Sequence, residues 1–527
     1  MNSENKASEP QAFFPSRLSH IFDRLVSSFG FRTSSFPLRV PVRVADCFLL
    51  ALDAFMRRTG QGGHVTQSVL ELDRAPDLAK LRAAARRVVE KHPLLGARLR
   101  RSWRTWLAYW EIPAALPESL PVGLWRENGS PGALGADARE VADGMARLEE
   151  IMSEPLGENW RAELPPRWRR GIEVVWERAS RRRSGPPTPA SRELRPPADG
   201  ACVNARLDVV ELRSGRCLVA LSWRHTLIDG KGAELLLVEL ARLCDGIDVP
   251  IEGREPARPR LTFKEQILKT KPAINRFQEL SKLRFASLSG PRPRAGRGHY
   301  QIITLGEADS NRVRERVERM TGALFPMAFY VAVTARAHDR VFRHRGQAPA
   351  GYVASVPIQT RKRGARGPLF HNQVTVFFFA AKREGLATIE SAAAAMKTQF
   401  AEMSRARLDE SFSAVLELMM RLPPALFMRV VRWQFKGEIG SFFHSHTGPF
   451  APEISQFAGA KITNAFHLPC IGTPPGTGLF FNERDGRVTI TVSWREGCLS
   501  GEERRLMAAQ ALEDCLGEPR PELVDAR

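Results

Sequence analysis

The sequence predicts a mixed α/β (α+β) protein built from two halves. The chain has 527 residues, and a single hydrophobic core stops growing beyond roughly 250–300 residues, so two halves are expected. In both halves, apolar runs of strand length precede segments with helical periodicity, for example in 205–240 and 300–342. Prolines gather between these halves, which is typical of a crossover connection.

The same patterns divide the chain into regions. Residues 1–40 are expected to form a flexible N-terminal segment, 41–250 the N-terminal half, 251–298 a crossover linker and 299–520 the C-terminal half. Arg, Pro and Gly accumulate in an irregular insertion at about 155–200. This composition predicts a solvated, flexible insertion, although Arg clusters beside Trp could instead bind phosphates.

The N-terminal segment contains a candidate amphipathic helix in 16–29. That helix would present five apolar side chains on one face: Leu18, Ile21, Phe22, Leu25 and Phe29. It either packs on the main body or lies in a membrane interface. Peripheral membrane contact is therefore one alternative for this protein.

Charge and composition narrow the classes of partner. The net charge of +20 suits nucleic acid, anionic lipid, or an acidic protein or small molecule, while the many arginines can also reflect a GC-rich genome. No zinc-finger, RNP or helix-turn-helix pattern occurs, so no nucleic-acid partner is predicted.

A cytoplasmic location is predicted, because no secretion signal and no apolar run near the ~20 residues of a membrane span are recognisable. The seven scattered cysteines lack CxxC spacing, which predicts a reducing compartment and no metal site.

The most informative stretch runs from Ser222 to Gly232, where an apolar strand leads into a loop and then a helix. His225 stands at the end of the predicted strand, and Asp229 and Gly230 stand just before the predicted helix. A His held rigidly there, with one ring nitrogen exposed, could take a proton at neutral pH, since its ordinary pKa is about 6.5. The spacing alone also fits a His and an Asp that merely cap a turn. Two ligands are too few for a metal site.

The segment His225-Thr226-Leu227-Ile228-Asp229-Gly230 resembles the HxxxDG motif of the chloramphenicol-acetyltransferase-like superfamily. That superfamily includes nonribosomal peptide condensation domains, plant BAHD acyltransferases, alcohol acetyltransferases and bacterial wax ester synthase/diacylglycerol acyltransferases. In several members a second His directly precedes the catalytic one, and here Arg224 takes that place, which argues against a standard condensation domain. Weaker matches follow in superfamily order across about 44–517: Asp46-Cys47-Phe48-Leu49, His92 to Leu99, Arg361 with Asn372-Gln373-Val374, and Ser445 to Pro449.

The resemblance implies two chloramphenicol-acetyltransferase-like subdomains, each a mixed sheet flanked by helices, with a tunnel between them. It assigns catalysis to His225 and gives Asp229 and Gly230 structural roles at the active site. Asp229 would hold the loop through an arginine, for which Arg98 and Arg361 are both candidates. The candidates for oxyanion or substrate contacts in the second half are Ser445, Thr447 and Asn372.

The reaction implied by the resemblance is acyl transfer from a thioester donor to an alcohol or amine acceptor, with His225 as general base. The donor would be acyl-CoA or an acyl carrier protein, so the CoA or phosphopantetheine thioester is a substrate, and no tightly bound cofactor or metal is expected. Transfer to the oxygen of a hydrophobic alcohol is favoured. No Gly-x-Ser-x-Gly elbow occurs, in keeping with a mechanism that needs no enzyme nucleophile.

The alternative function is that of a catalytically silent member that binds a carrier protein or a hydrophobic ligand. Arg224, the insertion at 155–200 and His446-Thr447-Gly448-Pro449 all depart from the superfamily pattern, which commonly has Asn-Val-Pro-Gly-Pro at the last position.

A second apolar stretch lies between Arg421 and Phe435 and includes Arg429 and Arg432. It predicts a buried helix, with proximity to a membrane as the alternative.

Overall fold

The structure is a computed structural model that describes residues 38–102, 107–126, 137–153, 156, 203–248, 262–362 and 364–524. The predicted helix in 16–29 and nearly all of the predicted insertion at 155–200 lie outside these residues. The described residues from Arg39 onward form one compact unit. Within the described ranges, no helix has the length and apolar character that crossing a bilayer requires.

The first of two six-stranded sheets carries the His-x-x-x-Asp-Gly motif at the end of a central strand. Its strand order is β12-β13-β2-β7-β6-β5, and only the β5–β6 pair is parallel. The six strands are β2 (Val65–Leu72), β5 (Val122–Arg126), β6 (Ala205–Glu211), β7 (Cys217–Arg224), β12 (Gln456–Phe457) and β13 (Ala460–Leu468).

Helices cover both faces of this sheet, so β2 and β7 are buried along their whole length. Alternate residues of β7 point to opposite faces, as strand geometry requires. Val219 and Leu221 pack with helices α2 (Leu78–Lys91) and α4 (Gly230–Cys244), whereas Leu218 and Ala220 pack with α3 (Asp137–Ser153). Helix α1 (Val44–Arg58) precedes β2 and contributes Cys47 and Leu50 to the same core as Val219 and Leu221, whereas its Ala51, Leu52 and Met56 belong to a separate cluster described below.

The second sheet has the order β10-β9-β11-β14-β15-β8, in which β11 runs parallel to both β9 and β14 and the other pairs are antiparallel. A small third sheet, β1-β4-β3, lies beside the first half. The nine strands of these two sheets are β1 (Leu38–Pro41), β3 (Arg98–Arg101), β4 (Ala108–Ile112), β8 (Gly298–Thr304), β9 (Gly351–Gln359), β10 (Val374–Lys382), β11 (Phe442–Pro449), β14 (Thr477–Arg484) and β15 (Arg487–Arg495).

Helices also flank the second sheet and build its core with the apolar residues of β8, β9, β14 and β15. These helices are α6 (Glu307–Thr321), α7 (Pro326–His344), α8 (Ile389–Arg405), α11 (Gly501–Leu516) and the short α12 (Pro521–Val524). The prediction of two mixed sheets flanked by helices is confirmed.

Strand β13 joins the two halves, because it belongs to the second half in sequence and to the first sheet in space. It pairs antiparallel with β2, from Ile462 opposite Leu72 to Leu468 opposite Gln67. The side-chain amide of Asn482 on β14 donates to the backbone oxygen of Ala465, 2.8 Å away, and so links the two sheets. The halves therefore share main-chain hydrogen bonds as well as side-chain contacts.

The predicted crossover linker at 251–298 contains a helix, α5 (Phe263–Lys282), although Pro272 lies inside it. A proline in a helix removes one N–H and disturbs the preceding turn. Helix α9 (Leu408–Met419) supports that turn, because the Ser411 hydroxyl accepts from the Ala273 N–H (2.8 Å) and donates to the Lys269 oxygen (2.6 Å). The side chain of Ser411, 138 positions from Ala273, thus compensates for the disturbance caused by Pro272.

The apolar stretch after Arg421 forms helix α10 (Pro424–Gln434), which packs on α1 through Phe427 and Met428. The prediction of a buried helix is only half right. The opposite face of α10 is exposed, and Trp433 is 81% exposed. The sequence pattern did not reveal this exposed face, since both faces of the predicted helix carry apolar residues.

Candidate active site

His225 follows the last residue of β7 and lines a cavity of about 1760 Å³ to which both halves contribute. Its backbone N–H donates to the oxygen of His64 (3.1 Å), which extends the β2–β7 ladder by one bond past the strand end. His225 is partly buried, whereas the loop residues after it up to Asp229 are buried. The side chain is thus presented to the cavity by a loop that cannot move freely.

Burial is the largest influence on His225 and lowers the pKa of its imidazole. Its own carbonyl, Asp229, Asn372 and Asp46 act in the opposite direction but do not offset the burial. The Nδ1 atom is buried and has no partner with normal hydrogen-bond geometry within the described residues. An imidazole that stays neutral near pH 7 can accept a proton, as a general base must.

A second imidazole, that of His64, lies flat against the ring of His225. The ring centroids are 5.0 Å apart and the planes differ by 7°. Burial lowers the pKa of His64 to about 3, and the neighbouring His225 contributes to the shift. The pair therefore stays uncharged near neutrality. Sequence analysis did not single out His64, because it lies 161 positions from its partner and in no recognisable motif.

Arg224 occupies the position where several superfamily members have a second His, and it has a different environment from His225. It is buried, and its Nη2 donates to the backbone oxygen of Leu156 (3.1 Å). It is not among the residues that line the cavity. The ring beside His225 thus comes from His64, the residue just before the neighbouring strand β2, and not from the residue preceding His225.

Asp229 holds the motif loop against the second half. Its Oδ1 accepts from the backbone N–H of Gly232 (2.7 Å) and so caps the N-terminus of α4. Its Oδ2 accepts from Arg361 Nη1 (2.7 Å) and from the backbone N–H of Gln373 (2.8 Å). Of the two arginines left open by the sequence, Arg361 forms this contact, while Arg98 lies on β3.

Asp46, on the first turn of α1, makes the second link between the halves. It accepts from the backbone N–H of Asn372 (2.8 Å), from the Asn372 side-chain amide (2.7 Å) and from Nδ1 of His371 (2.9 Å). The same Asn372 amide also donates to the backbone oxygen of His225 (2.9 Å). Because both amide hydrogens are used, Asn372 is suited to positioning His225 and has no N–H left for an oxyanion.

Ser445 and Thr447, the other predicted contact residues, lie on β11 and both line the cavity. Their hydroxyl groups can donate a hydrogen bond to a developing negative charge. His444 and His446 alternate with them and also border the cavity. His446 stacks on Tyr330, with ring centroids 4.5 Å apart, and His444 Nδ1 lies 2.9 Å from the Thr334 hydroxyl. In the part of the chain that the structure describes, no three metal-ligating side chains cluster.

Gly230, the last residue of the motif, and Gly232, two positions later, have different surroundings. At Gly230, which lines the cavity, an added Cβ would meet open space. At Gly232, an added Cβ would collide with the backbone oxygen of Leu369 in the second half. The close contact with the second half therefore requires a glycine at Gly232, whereas Gly230 borders the open cavity.

Glu234 and His467 form a further buried pair on the cavity wall, with Oε1 and Nε2 3.1 Å apart. Burial alone would raise the pKa of Glu234, but His467 and Lys231 together lower it, so this carboxylate is ionised. The backbone N–H of Ala451 also donates to Glu234 (3.3 Å). The pair fixes β13 and the loop after β11 against α4.

Solved structures of low sequence identity have the same architecture. TRI3 trichothecene 15-O-acetyltransferase from Fusarium sporotrichioides superposes with a TM-score of 0.61 at 12% identity, covering 93% of this chain and 97% of that one. The first condensation domain of the CDA synthetase gives 0.56 at 15% identity, with 92% and 97% covered. TRI101 of F. graminearum, complexed with coenzyme A and T-2 mycotoxin, gives 0.51 at 10% identity, with 88% and 96% covered. No protein-family model and no curated protein sequence matches this chain.

Proposed function

Because this chain has the chloramphenicol-acetyltransferase-like fold of condensation domains and trichothecene acetyltransferases, we propose that it is an acyltransferase with His225 as general base. The observation that carries the proposal is the state of His225: it is held by a rigid loop, kept neutral by burial, and presented to a large cavity lined by both halves. Such a base suits the removal of a proton from a bound acceptor.

The chemistry needs no covalent enzyme intermediate. His225 accepts the proton of an alcohol or amine as the oxygen or nitrogen attacks the carbonyl carbon of a thioester. The tetrahedral oxyanion that forms is stabilised by hydroxyl donors, for which Ser445 and Thr447 are the candidates. The C–S bond then breaks, the proton passes from His225 to the departing thiolate, and an ester or amide and a free thiol leave.

The donor is proposed to be acyl-CoA or an acyl carrier protein. Support comes from the neighbours, since TRI101 is complexed with coenzyme A and the condensation domain belongs to a synthetase. The net charge of +20 favours donors that carry phosphates or acidic side chains, through long-range attraction. The cavity lining itself includes acidic as well as basic side chains, for example Glu410 and Glu453 beside Lys231 and Lys362.

The acceptor is proposed to be a hydrophobic alcohol, with an amine as the less favoured nucleophile. One part of the cavity is walled by apolar side chains of α1, α9 and α10: Phe48, Leu49, Leu52, Val415, Leu416, Met419, Phe427 and Val431. Apolar walls with few polar groups favour ligands of matching character. The reactive hydroxyl would lie at His225, which lines the same cavity.

The test compares the wild-type protein with His225→Gln in assays with acyl-CoAs of several lengths and a pool of alcohols and amines. Free thiol and product masses are measured. We expect acceptor-dependent thiol release that falls by about 10²–10⁴ in the variant, as for loss of a general base. His344→Ala is the matched control, because His344 is exposed and lies away from the cavity lining.

Three outcomes separate the alternatives. Equal activity in His225→Gln and the wild type would refute the general-base role. Binding of acyl-CoA without thiol release would favour the silent binding protein. Thiol release only from an acyl carrier protein would identify the carrier as donor.

A further inference from the structure

Exposed apolar side chains concentrate on two helices. Seven of the ten large hydrophobic side chains that are exposed in the described ranges belong to α5 or α10. They are Phe263, Ile267, Leu268 and Ile274 on α5, and Leu426, Val430 and Trp433 on α10. An exposed apolar cluster of this kind marks an interaction surface, whereas single exposed residues need no explanation.

All but Leu268 of these exposed residues follow helical spacing, so each helix presents an apolar stripe. On α10, Leu426, Val430 and Trp433 are separated by four and then three positions, which places them on one face. On α5, Phe263 and Ile267 are four positions apart. The two helices are neighbours, because Phe277 of α5 and Phe435, next to the end of α10, are in ring contact with centroids 6.2 Å apart.

Basic side chains accompany these stripes. The two helices together contain seven basic and two acidic residues, and α10 has no acidic residue at all. Lys264, Lys271, Arg429 and Lys436 are exposed. Apolar and aromatic side chains flanked by cations are the combination that binds an anionic lipid surface, and Trp prefers the interface between lipid and water.

The apolar surface is continuous with the cavity. Ile274 on α5 is 45% exposed and Val430 on α10 is 40% exposed, and both also line the cavity. Their neighbours Val431 and Phe427 continue the apolar wall inward. Because these two exposed side chains also line the cavity, the apolar surface and the cavity wall share residues on both helices.

We propose that the exposed faces of α5 and α10 dock the protein on an anionic membrane surface, so that a membrane-dissolved amphiphile enters the cavity directly from the bilayer. An apolar ligand would then reach the cavity without passing through water. A second copy of this chain fits the surface less well, because two cationic faces would repel each other. The docking stands independently of catalysis, whereas the entry of a membrane-dissolved acceptor rests on the proposed acyl transfer.

The test measures co-sedimentation of the full-length protein with vesicles of phosphatidylcholine alone and of phosphatidylcholine mixed with phosphatidylglycerol. We expect binding to the anionic vesicles, weakened by salt. The double variant Leu426→Ser/Trp433→Ser should reduce it by about tenfold or more, because both side chains lie on the exposed stripe. Arg429→Gln/Lys271→Gln should remove most of the preference for anionic lipid.

Leu324→Ser is the matched control, because Leu324 is 85% exposed and lies between α6 and α7. It should leave vesicle binding unchanged. The proposal is overturned if the wild type does not bind anionic vesicles, or if the double serine variant binds as well as the wild type. It is also overturned if size-exclusion chromatography shows a dimer that the double serine variant dissolves, since the stripe would then be an interface between copies.

An activity arm separates this proposal from the preceding one. With an active wild type, the double serine variant should turn over a short water-soluble alcohol normally and a vesicle-embedded alcohol poorly. Equal turnover of both would refute entry from the bilayer. If no variant shows His225-dependent transfer, acyl transfer fails, and the vesicle result still decides the docking.

Discussion

Two buried aspartates connect the second half to the loop that carries His225, and they do so with different partners. Asp229 faces the guanidinium of Arg361, and both side chains are only 3% exposed. Asp46 instead accepts three hydrogen bonds from Asn372 and His371. One carboxylate balances a permanent charge, and the other orients an amide that in turn holds the His225 backbone.

This difference separates two ways of building a rigid site across an interface. A buried ion pair adds little net stability, but removing one partner is costly because the other charge remains buried. A carboxylate that accepts several N–H hydrogen bonds keeps one acceptor oxygen when Asp is changed to Asn. It therefore loses only some of its hydrogen bonds. The pair of aspartates therefore predicts unequal responses to the same Asp→Asn change.

The largest effect is expected for Asp229→Asn. It leaves Arg361 buried without a counter-charge, which should lower the free energy of unfolding by about 3–5 kcal/mol. Denaturant titration measures the change. In the double variant Asp229→Asn/Arg361→Gln the loss should be smaller than the sum of the single losses, and strict additivity would contradict the assigned pair.

Asp46→Asn should follow, with a loss of about 1–3 kcal/mol, because one of its oxygens becomes a donor that faces other donors. The turnover number should also fall, since Asn372 would no longer be held against the His225 carbonyl. Denaturation and steady-state kinetics report the two effects. A loss of stability as large as that of Asp229→Asn would remove the distinction between the two aspartates.

His64→Ala should have a smaller effect. An aromatic pair contributes about 0.5–1.5 kcal/mol, so loss of the stack on His225 should lower the turnover number by about two- to tenfold with little change in KM. His64→Phe keeps a flat ring and should retain most of the activity. If the Phe variant is as slow as the Ala variant, a polar atom of His64 is needed and stacking alone is insufficient.

The smallest effect is expected in the pH profile. The neutral form of His225 is the base, and its pKa is lowered by burial, so activity should persist below pH 6.5 before it falls. Asp229 and Asp46 both raise this pKa, and Asp229 does so more. The acidic limb of kcat/KM should therefore move to lower pH in both Asp→Asn variants and further in Asp229→Asn. A shift in the opposite direction would contradict this electrostatic account.

The prediction of two mixed sheets flanked by helices was confirmed, and solved structures of low identity share this fold. This part could be predicted because strand and helix patterns are local. Strands and helices follow from periodicity within short windows, as in 205–240 and 300–342. The crossover was harder to predict, since Pro272 is locally a helix breaker. Only Ser411, from α9, shows why the helix continues. The predicted likeness to wax ester synthases stays a prediction.

His225 and Asp229 were found from the sequence because they lie four positions apart on one strand–loop–helix unit. Their environment could not be found that way. Each contact in that environment joins residues that are more than 100 positions apart. These contacts are the ion pair of Asp229 with Arg361 and not Arg98, the stack of His64 on His225, and the two hydrogen bonds donated by the Asn372 amide.

Short segments of the 527-residue sequence thus predict which helices and strands form and which imidazole is the candidate base. The partners of that imidazole, the exposed faces of α5 and α10, and the cavity between the halves depend on how distant elements pack. The physical reason is that periodicity and capping act over a few residues, whereas burial, ion pairing and stacking depend on distance in space.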